Sequence, residues 1–354
     1  MSGRNQHFIP QSLLRGFGVK RGKKTYVVAY TYDRGIFAPP TDGIGAEGNF
    51  YSELDVEDET ETLDDKITAY EQRIPAVLEQ LRQPSDEADP ALAAELVTHL
   101  TVRNDHFRKA TSAAGAGLVE GMGNIFNSED TARQFMGVAG DEPSSLFASQ
   151  LPELWGKLRP LAGLIGITNE EQFNVWAFQM VKTNFPSLHA EMVGTLNQTF
   201  SNILENVPEV AADAQRRSLE KSLTPEKRVD RLVEYRWQTL APEDSVVLPD
   251  CVAVGVDTGN GLLPLMLADL DHTETIFMPI ASDRLLVGSL TSDPELPPNI
   301  NEVFAGCSWD FFVARDRTTE LEGFRSSLRT TTDRFMTVTV TSAIDESLGK
   351  RNPR

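Results

Sequence analysis

The chain has 354 residues, with 52 acidic side chains against 33 basic ones and a formal net charge of −19 at pH 7. A hydrophobic fraction of 40% beside a charged fraction of 24% implies a sizeable core and excludes a chain disordered throughout. The acidic field repels nucleic acid and anionic membrane wherever basic residues do not cluster, and it favours solubility.

Cys251 and Cys307 belong to no Cys-x-x-Cys pair. Two thiols cannot build a disulfide scaffold or a four-Cys zinc site, and a reducing cytoplasm suits them. Residues 1–7 carry no apolar signal region, and no stretch approaches the roughly 18 apolar residues of a membrane span. The expectation is a cytoplasmic protein with no membrane partner. The acidic run 53–65 reads as a solvated segment, since it lacks the spaced Asp/Asn ligands and central Gly of a calcium loop.

In chain order, composition separates three regions of one composite domain spanning 1–354: an N-terminal part to about 60, a helical part over 63–240 and a strand-rich part over 245–345. Residues 8–17 suit a short helical turn. The run Thr-Tyr-Val-Val-Ala-Tyr-Thr-Tyr over 25–32 reads as one strand, closed by Asp33-Arg34-Gly35. A second short strand is expected at Asn49-Phe50-Tyr51. In the middle, Ile67, Tyr70, Ile74, Val77 and Leu81 recur at helical spacing, with Pro75 expected to interrupt.

Asp89-Pro90 opens another helix, with Leu92, Leu96, Leu100, Arg103 and Phe107 on one stripe. The Gly/Ala-rich stretch 111–124 and the polar stretch 128–145 read as a linker or lid. Helical spacing resumes at Phe173, Trp176 and Met180, and again from Leu188 after Pro186. Thr224-Pro225 looks like a cap with a first-turn proline. Short apolar runs at 246–256, 262–268, 276–280, 285–290, 309–313 and 335–340 read as strands. The fold class is α+β: a hairpin-like N-terminal segment, a helical middle, and a mixed or antiparallel C-terminal sheet packed on the helices.

The densest chemical signal is His7-Phe8-Ile9-Pro10-Gln11-Ser12-Leu13-Leu14-Arg15-Gly16-Phe17. Coiling of its second half sets Gln11 and Arg15 on one face at i, i+4. His7 is then a candidate acid, base or ligand. The same segment also reads as a plug that docks Phe8, Leu13, Leu14 and Phe17 into the core. On a continuous helix, His99, Arg103 and His106 would line one face. Arg103 between two histidines repels a cation and suits an anion or carboxylate. Asp250 ends one candidate strand and Asp283 another, positions that serve either a site or a turn. The phosphate loop, the dinucleotide fingerprint and the nucleophile elbow are absent from the sequence.

The pattern His7-x-x-Pro10-Gln11-x-x-Leu14-Arg15-x-Phe17 resembles the opening of a large bacterial family known as a domain of unknown function. Later pieces resemble it more loosely: the strand over 26–32, Asn49-Phe50-Tyr51, the helices carrying Glu71 and Arg103, Pro249-Asp250, the run 277–283 and Asn301. The resemblance implies no activity. A shorter likeness joins residues 7–14 to the His-Ile-Val-Pro-Gln-Ser core of HNH nucleases, where His is the general base and acidic, Asn or His neighbours hold a divalent metal. Here Gln6 stands where an acid or His is usual, and no β-rich run precedes His7.

These residues support two expectations. In the first, the chain is an enzyme, hydrolase or nuclease-like, with His7, Arg15, Arg103 and Asp250 as catalytic groups and Gln11, His99 and His106 binding an anionic small molecule or nucleic acid. A divalent metal is called for only in the nuclease version. In the second, it is a non-catalytic binding or regulatory module, a sensor or defence-associated protein for example, whose polar residues form a structural network.

Overall fold

A computed structural model describes residues 5–48, 50–51, 62–85, 87–291 and 294–348. The chain begins with strand β1 (Asn5–His7), helix α1 (Gln11–Leu14) and a 3-10 turn over Arg15–Phe17. Strands β2 (Val19–Arg21), β3 (Lys24–Tyr26), β4 (Val28–Thr31), β5 (Gly35–Phe37) and β6 (Ala46–Gly48) follow. The helices are α2 (Leu63–Glu71), α3 (Ile74–Leu81), α4 (Pro90–Val102), α5 (Asp105–Asn127), α6 (Glu129–Phe135), α7 (Ser145–Ala162), α8 (Glu170–Lys221) and α9 (Glu226–Val233). After them come β7 (Arg236–Leu240), β8 (Leu248–Pro249), β9 (Val254–Asp257), β10 (Gly261–Pro264), β11 (Thr273–Ala281) and β12 (Arg284–Ser289). The chain closes with α10 (Ile300–Cys307), β13 (Phe311–Ala314), α11 (Thr319–Phe324) and α12 (Thr330–Ser347).

Two compact units result. One comprises Met1–Ser112 with Pro208–Met336, the other Ala113–Val207 with Thr337–Arg354. The first holds two antiparallel sheets, β10-β9-β11-β12-β7 and β5-β4-β13-β8, and the pairs β1-β6 and β2-β3. The expected α+β class, with an antiparallel C-terminal sheet packed on helices, is what the chain forms. Helix starts follow local chemistry. Thr62 and Asp65 close a capping box on α2, Pro75 sits in the first turn of α3, and the Asp89 carboxylate accepts from the Ala91 and Leu92 N–H groups at the start of α4.

The N-terminal segment is built into the core. Ile9, Leu13, Leu14 and Phe17 are wholly buried, the Gly16 carbonyl accepts from the Ser282 N–H at 3.0 Å, and Arg82 donates to the Ser12 and Ile280 carbonyls. A Cβ at Gly16 would stand 2.8 Å from the Ile280 carbonyl oxygen, so only glycine lets this turn press against β11.

Several sequence expectations are corrected. The single strand over 25–32 is two strands divided at Val27, whose N–H turns aside to the Pro39 carbonyl. Phe50 and Tyr51 are not in a strand; β6 lies just ahead of them, and Asn49 falls outside the described residues, as does most of the acidic run 53–65. A strand does reach His7: β1 forms because β6 supplies its ladder, although Asn5-Gln6-His7 has little strand propensity of its own.

The linker or lid over 111–124 and 128–145 is mostly helix. Its small residues serve close packing: a Cβ on Gly117 would sit 3.4 Å from Val340, and one on Gly121 would overlap Ile344. That same packing explains why 335–340 is helix, not strand, since Val340 and Ile344 sit at i, i+4 on one face of α12. Helix α8 runs through Pro186 without interruption. Thr224 is not the cap; Pro225 itself holds the N-cap position of α9, with no side-chain cap bond.

Candidate functional site

His7 ends β1, and Pro10 sets the N-cap of α1, which places Gln11 and Arg15 one turn apart. The Arg15 Nη2 donates to Gln11 Oε1 at 3.0 Å, and Gln11 Nε2 lies 3.2 Å from His7 Nε2. A guanidinium only donates, so the Gln11 oxygen faces Arg15 and its amide nitrogen donates to His7. His7 Nε2 is therefore an acceptor, and the ring is neutral. Burial lowers the His7 pKa below its ordinary 6.5; the charge of Glu71 opposes that shift, and the charge of Arg103 adds to it.

Gln11 and Arg15 border a cleft of about 390 Å³ with Lys20, Lys23, Lys24, Thr25, Pro40, Thr41 and Asp42. The hairpin β2-β3 turns at Gly22, whose φ of 62° is a left-handed conformation that favours glycine. That tight turn brings Lys20, Lys23 and Lys24 to one end. Lys24 pairs with Asp42 at 2.9 Å. Arg15, Lys20 and Lys23 have no carboxylate partner among the described residues.

Behind His7, the guanidinium of Arg103 is completely buried. Its Nη2 donates to the His7 carbonyl and to Glu71 Oε1, and its Nη1 donates to His99 Nε2 at 3.0 Å. Desolvation opposes this charge, but Tyr51 and Glu71 outweigh it and hold the Arg103 pKa above its ordinary value. His99 must accept from Arg103, so its Nδ1 donates to the Leu223 carbonyl at 3.3 Å, and burial followed by the Arg103 charge keeps it neutral. The Tyr70 ring stacks on His99 with centroids 3.9 Å apart, and the Tyr51 hydroxyl donates to the Arg103 carbonyl at 3.1 Å. The polar chain thus runs Arg15–Gln11–His7–Arg103–Glu71, with His7 giving its ring to Gln11 and its carbonyl to the buried guanidinium.

Asp250 and His106 are placed elsewhere. Asp250 follows β8, and its carboxylate accepts from three successive N–H groups: Trp309 at 2.8 Å, Asp310 at 2.5 Å and Phe311 at 3.0 Å. Burial, then the charge of Asp310, pushes its pKa up to about 7, against those three donors. His106 Nε2 lies 2.9 Å from the Cys307 carbonyl, and burial lowers that ring to about 4. No hydrogen bond or ion pair among the described residues joins Asp250 or His106 to His7, Gln11 or Arg15.

The expected single face of His99, Arg103 and His106 is corrected by a helix break. Helix α4 ends at Val102, and the Asn104 side-chain oxygen accepts the His106 N–H at 2.6 Å to start α5. Gln215 donates to the Val102 and Asn104 carbonyls that the break frees. Arg103 therefore stays with His99, and His106 turns away.

The sequence reading expected Asp250 and His106 in one site with His7, Gln11, Arg15, His99 and Arg103, whereas hydrogen bonds join only the latter five. It missed the cleft lysines, although Lys20-Arg21-Gly22-Lys23-Lys24 is a visible basic run in an acidic chain. Glu71 was marked only by the family resemblance; its pairing with Arg103 needs the fold. The donors around His7 do not fit the divalent ion of an HNH site: its ring faces an amide, and its carbonyl faces a guanidinium. No group of three or more His, Cys, Asp and Glu among the described residues is placed to hold a metal. Likewise no helix among them is long and apolar enough to cross a membrane.

These features define an α+β protein whose polar N-terminal motif is anchored in its core and opens on a basic cleft. The chain belongs to the family described as "Protein of unknown function (DUF4238)", whose pattern matches residues 5–207. The matched span carries the whole chain from His7 to Arg103, with the cleft lysines, and leaves Asp250 outside. No curated protein and no solved structure matches the chain.

Proposed function

We propose that this protein is a binding or regulatory module that takes an anionic, phosphate- or carboxylate-bearing ligand into the cleft at Gln11 and Arg15. The observation that carries the reading is the gathering of Arg15, Lys20, Lys23 and Lys24 around one cleft of a chain with net charge −19. Lys24 is committed to Asp42, which leaves a guanidinium fork and two ammonium groups to meet an anion. Gln11 would report occupancy inward, because its oxygen is held by Arg15 and its amide by His7. Two buried free thiols suit a cytoplasmic setting for this module.

A hydrolytic reading, nuclease-like chemistry included, draws on one further observation. Burial keeps His7 neutral, with Nε2 one hydrogen bond from a residue that borders the cleft. A substrate that displaced Gln11 would meet a general base.

Calorimetric titration with inorganic pyrophosphate, and separately with a short single-stranded oligonucleotide, tests the binding reading. Salt-sensitive binding is expected, weakened roughly tenfold in Arg15→Ala and several-fold in Lys23→Ala. Absence of binding to both ligands would remove it. Under the hydrolytic reading, His7→Ala abolishes turnover of the bound ligand and leaves its affinity in place.

A further inference from the structure

Between α7 and α8 the second unit makes a turn with an unusual surface. Ala162 and Ile167 point into a small core with Leu151, Phe173 and Ala177. Residues around and between them point out. Leu161 is 60% exposed, Leu164 83% and Ile165 59%, with Leu158 beside them. Gly163 begins the 3-10 turn, and Gly166, at φ 82°, ends it; a Cβ on either would meet nothing within 4 Å. A leucine this exposed projects from a convex surface, so the feature is a wedge and not a groove. Scattered exposed leucines need no explanation, but contiguous aliphatic projections at one turn do.

Charge identifies what the wedge fits. Between Glu153 and Glu170 the sequence has no acidic residue, and its only charges are Lys157 and Arg159. Both are exposed; Lys157 pairs with Glu153 at 2.6 Å in an open salt bridge, and Arg159 lies over the Trp155 ring at 5.8 Å. A half-buried tryptophan, projecting aliphatics and two exposed cations match the layering of a lipid interface, where aromatic rings and basic side chains lie at headgroup level and aliphatics lie below.

We propose that the turn 158–165 is a peripheral anchor that inserts Leu161, Leu164 and Ile165 into the surface of an anionic membrane. Lys157 and Arg159 face the headgroups there. Insertion of this kind needs no spanning helix, and the acidity of the remaining chain keeps the contact confined to the turn.

The full chain should be floated with vesicles of phosphatidylglycerol and phosphatidylcholine, and with phosphatidylcholine alone. Co-flotation with the anionic vesicles is expected, falling about tenfold or more in the Leu164→Asp/Ile165→Asp double variant. A fall of about fivefold is expected for Lys157→Ala or Arg159→Ala. Leu188→Asp, at an exposed leucine elsewhere on α8, is expected to bind as the unaltered protein does. Absence of flotation, equal binding to both vesicle types, or equal binding by the double variant would each overturn the proposal. Light scattering distinguishes the other occupant: self-association that the double variant abolishes would assign the wedge to a second copy of the chain and overturn the lipid assignment.

Discussion

Arg103 and Asp250 are both buried ionisable groups in the first unit, and they are satisfied in opposite ways. The Asp250 carboxylate is met by three consecutive backbone N–H groups of one turn, so main chain alone answers it. Arg103 is met by a carboxylate from α2, an imidazole from α4 and a carbonyl from β1, and its network continues through His7 and Gln11 to Arg15 at a cleft. A buried charge answered by backbone ties down a loop. One answered by side chains and by the His7 carbonyl, whose own ring continues to a residue at the cleft, can sense what binds there.

The largest expected effect removes the carboxylate partner of Arg103. Glu71 is 30% exposed on its side chain whereas Arg103 is 0% exposed, so removing Glu71 strands a dry cation. Glu71→Ala should lower unfolding free energy by about 3–5 kcal/mol in urea titration, more than Arg103→Met does. The reverse order would mean that Arg103 is hydrated in the folded protein.

The Asp250 region should answer to pH through two opposed groups, unlike the Arg103 network, where the lowered His7 and His99 act in the same direction. The lowered pKa of His106 gives stability that is full above 6.5 and is lost as pH falls toward about 4. The raised pKa of Asp250 works oppositely: its stability is full below 3.8 and is lost as pH rises through about 7. In the parent protein the two offset one another between pH 6.5 and 4. Relative to it, His106→Gln should gain stability as pH falls across that window, and Asp250→Asn should lose it, each at roughly 1 kcal/mol per pH unit. Parallel profiles for the two variants would contradict this assignment.

The smallest effect on stability is expected at the cleft. Lys20→Ala and Lys23→Ala should change unfolding free energy by less than about 0.5 kcal/mol while weakening anion binding. If their stability falls as far as that of Glu71→Ala, the lysines belong to the fold and not to a site.

Much of the fold was legible where local signals and burial agree. The apolar positions of the N-terminal motif, the Asp89-Pro90 helix start and most strands of the antiparallel sheets are of this kind. The failures have a common cause, because each reading was decided by a partner distant in sequence. The run 335–340 reads as strand until Gly117 and Gly121 supply a face for Val340 and Ile344. His106 seems to share a face with Arg103 until Asn104 breaks the helix. The i, i+4 relation of Gln11 and Arg15 was readable from spacing, but Glu71 as the partner of Arg103 was not. The lysine run was plain in the sequence, but its meeting with Arg15 at one cleft depends on the β2-β3 hairpin.

The central claim is that the cleft and the buried arginine communicate through His7. The most direct test is the pKa of the His7 ring, followed by NMR with and without pyrophosphate and assigned with His7→Gln. The free protein should titrate below 6.5 at this ring, and a bound anion should move the value upward in the parent but not in Gln11→Ala. A ring that titrates identically with and without a bound anion would contradict the account.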